Sequence, residues 1–205
     1  MIKFTVLSAL AILIGTTIGN ILVSISGVLP TSYSITTLNF SHLILLKLIQ
    51  EIPVAISLGF FQWWGIKAYI PSIYWIFVTS FGYILANTFP NIWSNVAIYQ
   101  LGQNLINIAI GSTLITPICY IIFGIVQSIF LSKYVTKAWK WIAVPFICWL
   151  SLAIWFTPFN ILLARLLTPR EYGNFALAIA SVKLISSALV LGIVPAVALC
   201  LLRKK

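Results

Sequence analysis

Apolar residues fill this chain in long runs instead of alternating with charged ones. Six such runs, near 4–28, 43–66, 72–89, 104–131, 139–157 and 175–201, are separated by short polar or proline-containing stretches. About 20 consecutive apolar residues cross a bilayer core of roughly 30 Å as a helix. In lipid every backbone N–H and C=O has to be satisfied within the segment, which is what a helix does. The pattern therefore predicts an all-α integral membrane protein with six transmembrane helices. Residues 1–205 read as a single transmembrane domain, because almost nothing is left over for a soluble one.

Composition agrees with the pattern: 61% of the residues are hydrophobic and 7% charged, against roughly a quarter charged in soluble domains. The opening run, "MIKFTVLSALAILIGTTIGNILVS", has Lys3 ahead of an apolar segment, as a cleaved signal peptide would. Its length and the lack of a small-residue cleavage site favour a retained first helix.

Twelve basic residues stand against two acidic ones. With the N-terminus inside, Lys3, Lys67, Lys133, Lys137, Lys140, Arg203, Lys204 and Lys205 all face the cytoplasm, and only Arg165 and Arg170 fall in outer loops. Basic residues in short loops are retained on the cytoplasmic side during insertion, so both termini are expected to be cytoplasmic. The basic excess reads as topology and as attraction to anionic headgroups. The partners expected are membrane lipids and, within an assembly, other membrane subunits; no nucleic acid is expected.

The polar residues inside the runs repeat. Gly59-Phe-Phe-Gln62 recurs 65 residues later as Gly124-Ile-Val-Gln127, and Ile66 is matched at that spacing by Leu131. Each copy leads into a short basic turn and then a tryptophan, Trp75 or Trp141, one residue out of step. "GIVPAVAL" at 192–199 parallels "GIVQSIFL" at 124–131, with Gly192 matching Gly124 and Pro195 in place of Gln127. Fixed-period self-similarity indicates repetition of one supersecondary unit. The expected units are three tandem helical hairpins, approximately 4–66, 72–131 and 139–201, related by rotation about an axis along the membrane normal.

Gly59, Gln62, Trp63, Ile66, Lys67, Trp75, Thr79 and Gly82 resemble the repeated pattern Gly, Gln-Trp, Leu-Arg, Trp, Thr, Gly of a group of uncharacterised bacterial multi-span membrane proteins. The first hairpin junction carries the resemblance, and the second carries it at Gly124, Gln127, Leu131 and Trp141. It implies helical-hairpin architecture and a bacterial plasma or other internal membrane, with no established activity.

Candidate sites are few. Gln62 and Gln127 read first as interhelical ties near the cytoplasmic face, with Gly59 and Gly124 allowing close approach, and second as a polar vestibule for a ligand. Trp63, Trp64, Trp75, Trp139 and Trp141 beside the basic turns, and Trp93 and Trp155 beside the outer loops, read as interfacial belts; an aromatic cage for a cation is the other reading. Lys47 and Glu51, four apart, share a helix face. Lys183 falls at a comparable level, near the outer end of its helix. Ionisable residues within spans are functional candidates by default, so these three form the candidate intramembrane polar site, with a snorkelling lysine and its paired glutamate as the plainer alternative.

Enzyme signatures are mostly absent, with a Ser-Lys pair of Lys183 and Ser186 or Ser187 as the one alternative arrangement. His42 is the single histidine, Glu51 and Glu171 are the only acids, and Cys119, Cys148 and Cys200 lie isolated in different runs. Neither a Ser-His-Asp arrangement nor a metal-ligand spacing arises; no cofactor is expected. The outer connections 89–104 and 157–174 read as surface segments, the second with the apolar positions and Arg165 of a helix lying in the interface, and with a lid over an outward cavity as the alternative. The expected function is a non-enzymatic structural or accessory subunit of a membrane assembly. The alternative is a small-solute transporter or the substrate-binding membrane subunit of one, and a polar cavity at mid-depth would favour it.

Overall fold

The structure is a computed structural model that describes residues 2–26, 40–99, 111–166 and 175–204. It is nearly all helical: α1 (Ile2–Ile25), α2 (Phe40–Ile66), α3 (Tyr74–Tyr99), α4 (Thr116–Leu131), α5 (Ala143–Leu166) and α6 (Ala176–Cys200). A π-helical turn, Gly111–Ile115, leads into α4, and a short 3₁₀ helix, Ala138–Ile142, leads into α5. The side chain of His42, and Arg170, Glu171, Lys205 and the stretches 100–104 and 167–174 of the outer connections, lie outside the described residues.

Among the described residues five helical stretches are long and apolar enough to cross a membrane: Ile2–Ile25, Ile44–Ile66, Thr113–Leu131, Ala138–Leu163 and Ala178–Cys200. α3, although 26 residues long, is not among them. Thr79, Ser80, Asn87, Thr88 and Asn91 place polar groups along its length. The expected third and fifth spans were also too short. α3 continues through Pro90 to Tyr99 and α5 through Pro158 to Leu166, so 89–99 and 157–166 are helical. Proline is tolerated inside such helices where neighbours re-satisfy the freed carbonyls.

The outside of the bundle is as apolar as the inside. Leu10, Ile14, Ile18 and Leu22 of α1 are exposed, as are Ile121, Ile122, Ile125 and Ile129 of α4, whereas Ser8, Gln62, Thr79, Ser80, Gln127 and Ser128 are buried. A water-soluble protein cannot bear that distribution; a membrane protein, whose solvent is hydrocarbon, requires it. The chain is a polytopic membrane protein.

Each helix packs against its neighbours in the chain, and α6 packs back on α1, closing a ring. Close approaches fasten the ring. On α1 the Gly15-Thr-Thr-Ile-Gly19 stretch lies on α2 so tightly that a Cβ on Gly15 would sit 2.5 Å from the Cα of Val54, and one on Gly19 would sit 2.6 Å from the carbonyl oxygen of Gln50. Small residues one turn apart allow this backbone contact in membranes.

At one end, Val135–Thr136 pairs antiparallel with Arg203–Lys204, Val135 opposite Lys204 and Thr136 opposite Arg203. A cavity of about 130 Å³ beside this ribbon is lined by residues including Phe4, Gly65, Ile70, Val135, Ala196 and Leu202. The start of α1, the ends of α2 and α6 and the turn after α4 thus share one end of the bundle, and the Lys3, Lys67, Lys133–Lys140 and Arg203–Lys204 positions gather there. The turn is sharpened by Lys137, a non-glycine residue at φ 59°.

Candidate functional site

The three glycines of the sequence pattern occupy matching places. A Cβ on Gly59 of α2 would lie 2.7 Å from the carbonyl oxygen of Ile76 at the start of α3. One on Gly192 of α6 would lie 2.8 Å from that of Thr5 at the start of α1, and one on Gly124 of α4 would run into the carbonyl of Ile142, just before α5. In each case glycine lets the end of one helix touch the backbone at the start of another. Thr5 reinforces its contact with a long hydrogen bond, 3.4 Å, from its hydroxyl to the Gly192 carbonyl.

The two glutamines differ. Gln127 is buried and fully engaged: its Nε2 donates to the Thr79 hydroxyl on α3 at 3.1 Å, and its Oε1 accepts from the Trp141 indole at 2.8 Å. One side chain on α4 thereby links α3 and the 3₁₀ helix, each interhelical bond contributing on the order of 1 kcal/mol. Gln62 is equally buried, but its Oε1 has no partner among the described residues.

Trp75 and Trp141 are not interfacial. They are 0% and 2% exposed and meet edge to face at 5.9 Å, because the basic turns fold them inward, against the ends of α2, α4 and α6. Trp64 and Trp139 point outward, 42% and 67% exposed, as a belt residue does.

Toward the opposite end from the basic turns, the helices separate around a cavity of about 420 Å³. All six helices contribute to its wall: Ile12 and Thr16 from α1, Lys47, Gln50, Glu51 and Val54 from α2, Tyr83 and Asn87 from α3, Tyr120 from α4, Trp149 and Phe156 from α5, and Ser187 and Leu191 from α6. Lys47 Nζ lies 2.8 Å from Glu51 Oε1, with Glu51 the more enclosed of the two. Two positions one helical turn apart on α2 bring this about. Beside the pair, Gln50 Nε2 donates to Asn20 Oδ1 on α1 at 3.4 Å.

Across the cavity, Tyr120 donates its hydroxyl hydrogen to Asn87 Oδ1 at 3.0 Å while Asn87 Nδ2 donates to the Tyr83 carbonyl at 2.9 Å. The Tyr120 ring lies 6.3 Å from that of Trp149. The arrangement offers an aromatic wall, an amide and an ion pair inside an apolar bundle. A cavity of this size falls in the range of small-molecule sites, which are mostly apolar with a few placed polar groups.

Of the three candidate polar-site residues the structure brings Lys47 and Glu51 together and leaves Lys183 apart. Lys183 makes no ion pair among the described residues and does not line the cavity; its carbonyl accepts the Ser187 hydroxyl at 2.8 Å. Tyr83, Asn87, Tyr120 and Trp149 were not foreseen as site residues. Their signal was present, since Asn87 and Tyr83 share a face of one helix at a four-residue spacing. Among the described residues no group of His, Cys, Asp and Glu is placed to hold a metal ion. Comparison with protein families, with curated proteins and with solved structures finds no match.

Proposed function

We propose that the chain is a membrane protein that binds a small solute within its bundle, as a transporter or as the substrate-binding membrane subunit of one. The observation that carries this reading is the cavity of about 420 Å³ walled by all six helices, with the Lys47–Glu51 pair on one side and Asn87, Tyr120 and Trp149 on the other. An ion pair held in a low-dielectric site is costly unless something offsets its desolvation, and a cavity that admits water or a polar solute does so. The solute that fits has an apolar or aromatic body and a polar, hydrogen-bonding end.

In this reading the basic end is cytoplasmic and the cavity faces outward. The helices form three hairpins, 4–66, 72–131 and 139–201, whose junction glycines Gly59, Gly124 and Gly192 play the same part. That arrangement is supported by their matching contacts with Ile76, Ile142 and Thr5, and it accords with the resemblance to bacterial multi-span membrane proteins and with a plasma-membrane location. A structural or accessory role is the second reading, favoured by the closely packed basic end around Trp75, Trp141 and Gln127.

Thermal unfolding of the purified protein in detergent, against a panel of small zwitterionic and aromatic solutes, separates the two. Solute binding predicts at least one compound that raises the transition of the wild type and not that of Glu51→Gln or Trp149→Ala. Native mass spectrometry that finds a stoichiometric protein partner, with no stabilising compound in the panel, selects the accessory role.

A further inference from the structure

Below the large cavity, toward the basic end, lies a second and much smaller one of about 30 Å³. Gln62, Gln127 and Pro195, the three positions that the repeated pattern aligns, all line it. So do Leu58, Phe123 and Leu191, which stand four residues before them on the same three helices. Aligned positions of three helices converge on one point only where those helices surround a common axis. The small cavity therefore lies between α2, α4 and α6.

Two features mark it as more than a packing gap. Its size suits one or two water molecules, which need polar partners to settle in a buried site. A polar group is there: Gln62 is 5% exposed, lines the cavity, and has its Oε1 buried without a partner among the described residues. Gln127, by contrast, has a partner at each end of its amide, Thr79 and Trp141. Among the described residues the Gln62 carbonyl is thus a buried side-chain acceptor beside this cavity without a partner.

Tyr83, Tyr120 and Leu191 line both cavities. They are the partition between them, and Tyr120 is tied in place through Asn87. We propose that the solute path continues inward through this partition, which acts as a gate, to a hydrated inner site where the Gln62 carbonyl accepts a hydrogen bond from a water-sized donor. The proposal rests on the solute-binding reading of the outer cavity and deepens it.

Cys148, 1% exposed, lines the inner cavity and supplies a native reporter. A membrane-impermeant, cationic methanethiosulfonate reagent applied to the outside of intact cells reads both compartments, because only the hydrated thiolate reacts. Ser187→Cys, placed in a background with Cys119, Cys148 and Cys200 changed to Ala, reports the outer cavity and should label rapidly. Cys148, in a background with Cys119 and Cys200 changed to Ala, should label at least tenfold more slowly, since an inner cavity of about 30 Å³ is too small for the reagent. Tyr83→Ala with Tyr120→Ala should raise the Cys148 rate at least tenfold, and the milder Tyr120→Phe, which only unties Asn87, at least threefold. Adding Gln62→Leu to the opened variant should lower that rate at least threefold by drying the site.

Failure of Ser187→Cys to label removes the solute-binding reading itself. Rapid labelling there, with a Cys148 rate unchanged in both tyrosine variants, overturns the gate and leaves the outer cavity standing. An opened variant indifferent to Gln62→Leu overturns the inner site.

Discussion

The indole N–H of Trp141 donates to Oε1 of Gln127 at 2.8 Å, deep in the bundle and beside the turn that joins α4 to α5. The same amide donates to Thr79 on α3, so three elements depend on one side chain. Gln127→Leu would leave a buried indole N–H and a buried hydroxyl unpaired, at a cost of about 1–3 kcal/mol for each such group. Trp141→Phe would remove the indole N–H together with part of its packing. We expect each single change to lower the detergent unfolding transition, and the double change to be less destabilising than the sum, with a coupling of about 1 kcal/mol in unfolding free energy. Strict additivity would show that the hydrogen bond contributes nothing.

Gly59, Gly124 and Gly192 should tolerate alanine poorly, because in each case the added Cβ meets backbone, which cannot rotate away. Overpacking of this kind costs typically about 1–3 kcal/mol. Gly65 is the internal control: its Cβ would meet first the ring of Phe4, at 3.0 Å, which can shift. Thermal melts of the four alanine variants should therefore rank Gly65→Ala nearest to wild type, and a Gly65 variant as damaged as Gly124→Ala would contradict the contact argument.

Helix content and the glycine junctions were legible because both rest on local pattern: apolar runs set the helices, and a small residue set just before a basic turn marks where two helices cross. The π turn before α4 and the extension of α3 and α5 past Pro90 and Pro158 were not legible. Proline signals a break in isolation, and only packing against neighbours keeps those helices going. The tryptophans show the same limit. Trp64 and Trp75 stand beside the same basic turn, and nothing local says that one faces lipid while the other meets Trp141 in the core. The cavity was the least legible feature of all. It is a property of how far six helices stand apart, and of its wall only Lys47 and Glu51 were marked in the sequence, because charge within an apolar run is conspicuous while tyrosine and asparagine are not. The Gly15 and Gly19 contact is readable from its four-residue spacing.

Glu51 pairs with Lys47 on its own helix, and Lys183 on α6, the third candidate at a comparable level, stands apart. A double-mutant cycle on unfolding should therefore give a measurable coupling between Lys47→Met and Glu51→Gln. Because Lys47 is a third exposed, solvent screening limits that coupling to about 0.5 kcal/mol. The cycle between Glu51→Gln and Lys183→Met should be additive within error. A larger coupling to Lys183 than to Lys47 would mean that α6 sits closer to α2 than described. Uptake or solute binding lost in Glu51→Gln, with the unfolding transition unchanged, would place the carboxylate in solute recognition instead of in holding α2.

α3 decides the topology, because it is the helix whose polar positions keep it below the apolarity of the other five. Parity supplies the argument that it crosses. The start of α1 and the end of α6 come together at one end of the bundle, where Phe4 and Leu202 line one cavity. Five crossings would put those two ends on opposite faces of the membrane; six put them on the same face. Buried neighbours on α2 and α4 also give its polar groups partners that lipid would not: Ser80 donates to the Ala55 carbonyl at 3.0 Å, Thr79 accepts from Gln127, and Asn87 accepts from Tyr120. In the proposed six-span arrangement, a helix with too few apolar residues in isolation is carried by the helices on either side of it. In the proposed orientation, with basic residues retained on the cytoplasmic side, a reporter fused after Lys205 should register as cytoplasmic and one inserted at Asn95 as external. Both reporters on one side would mean that α3 stays at the surface, and the ring of six would then not exist in the membrane.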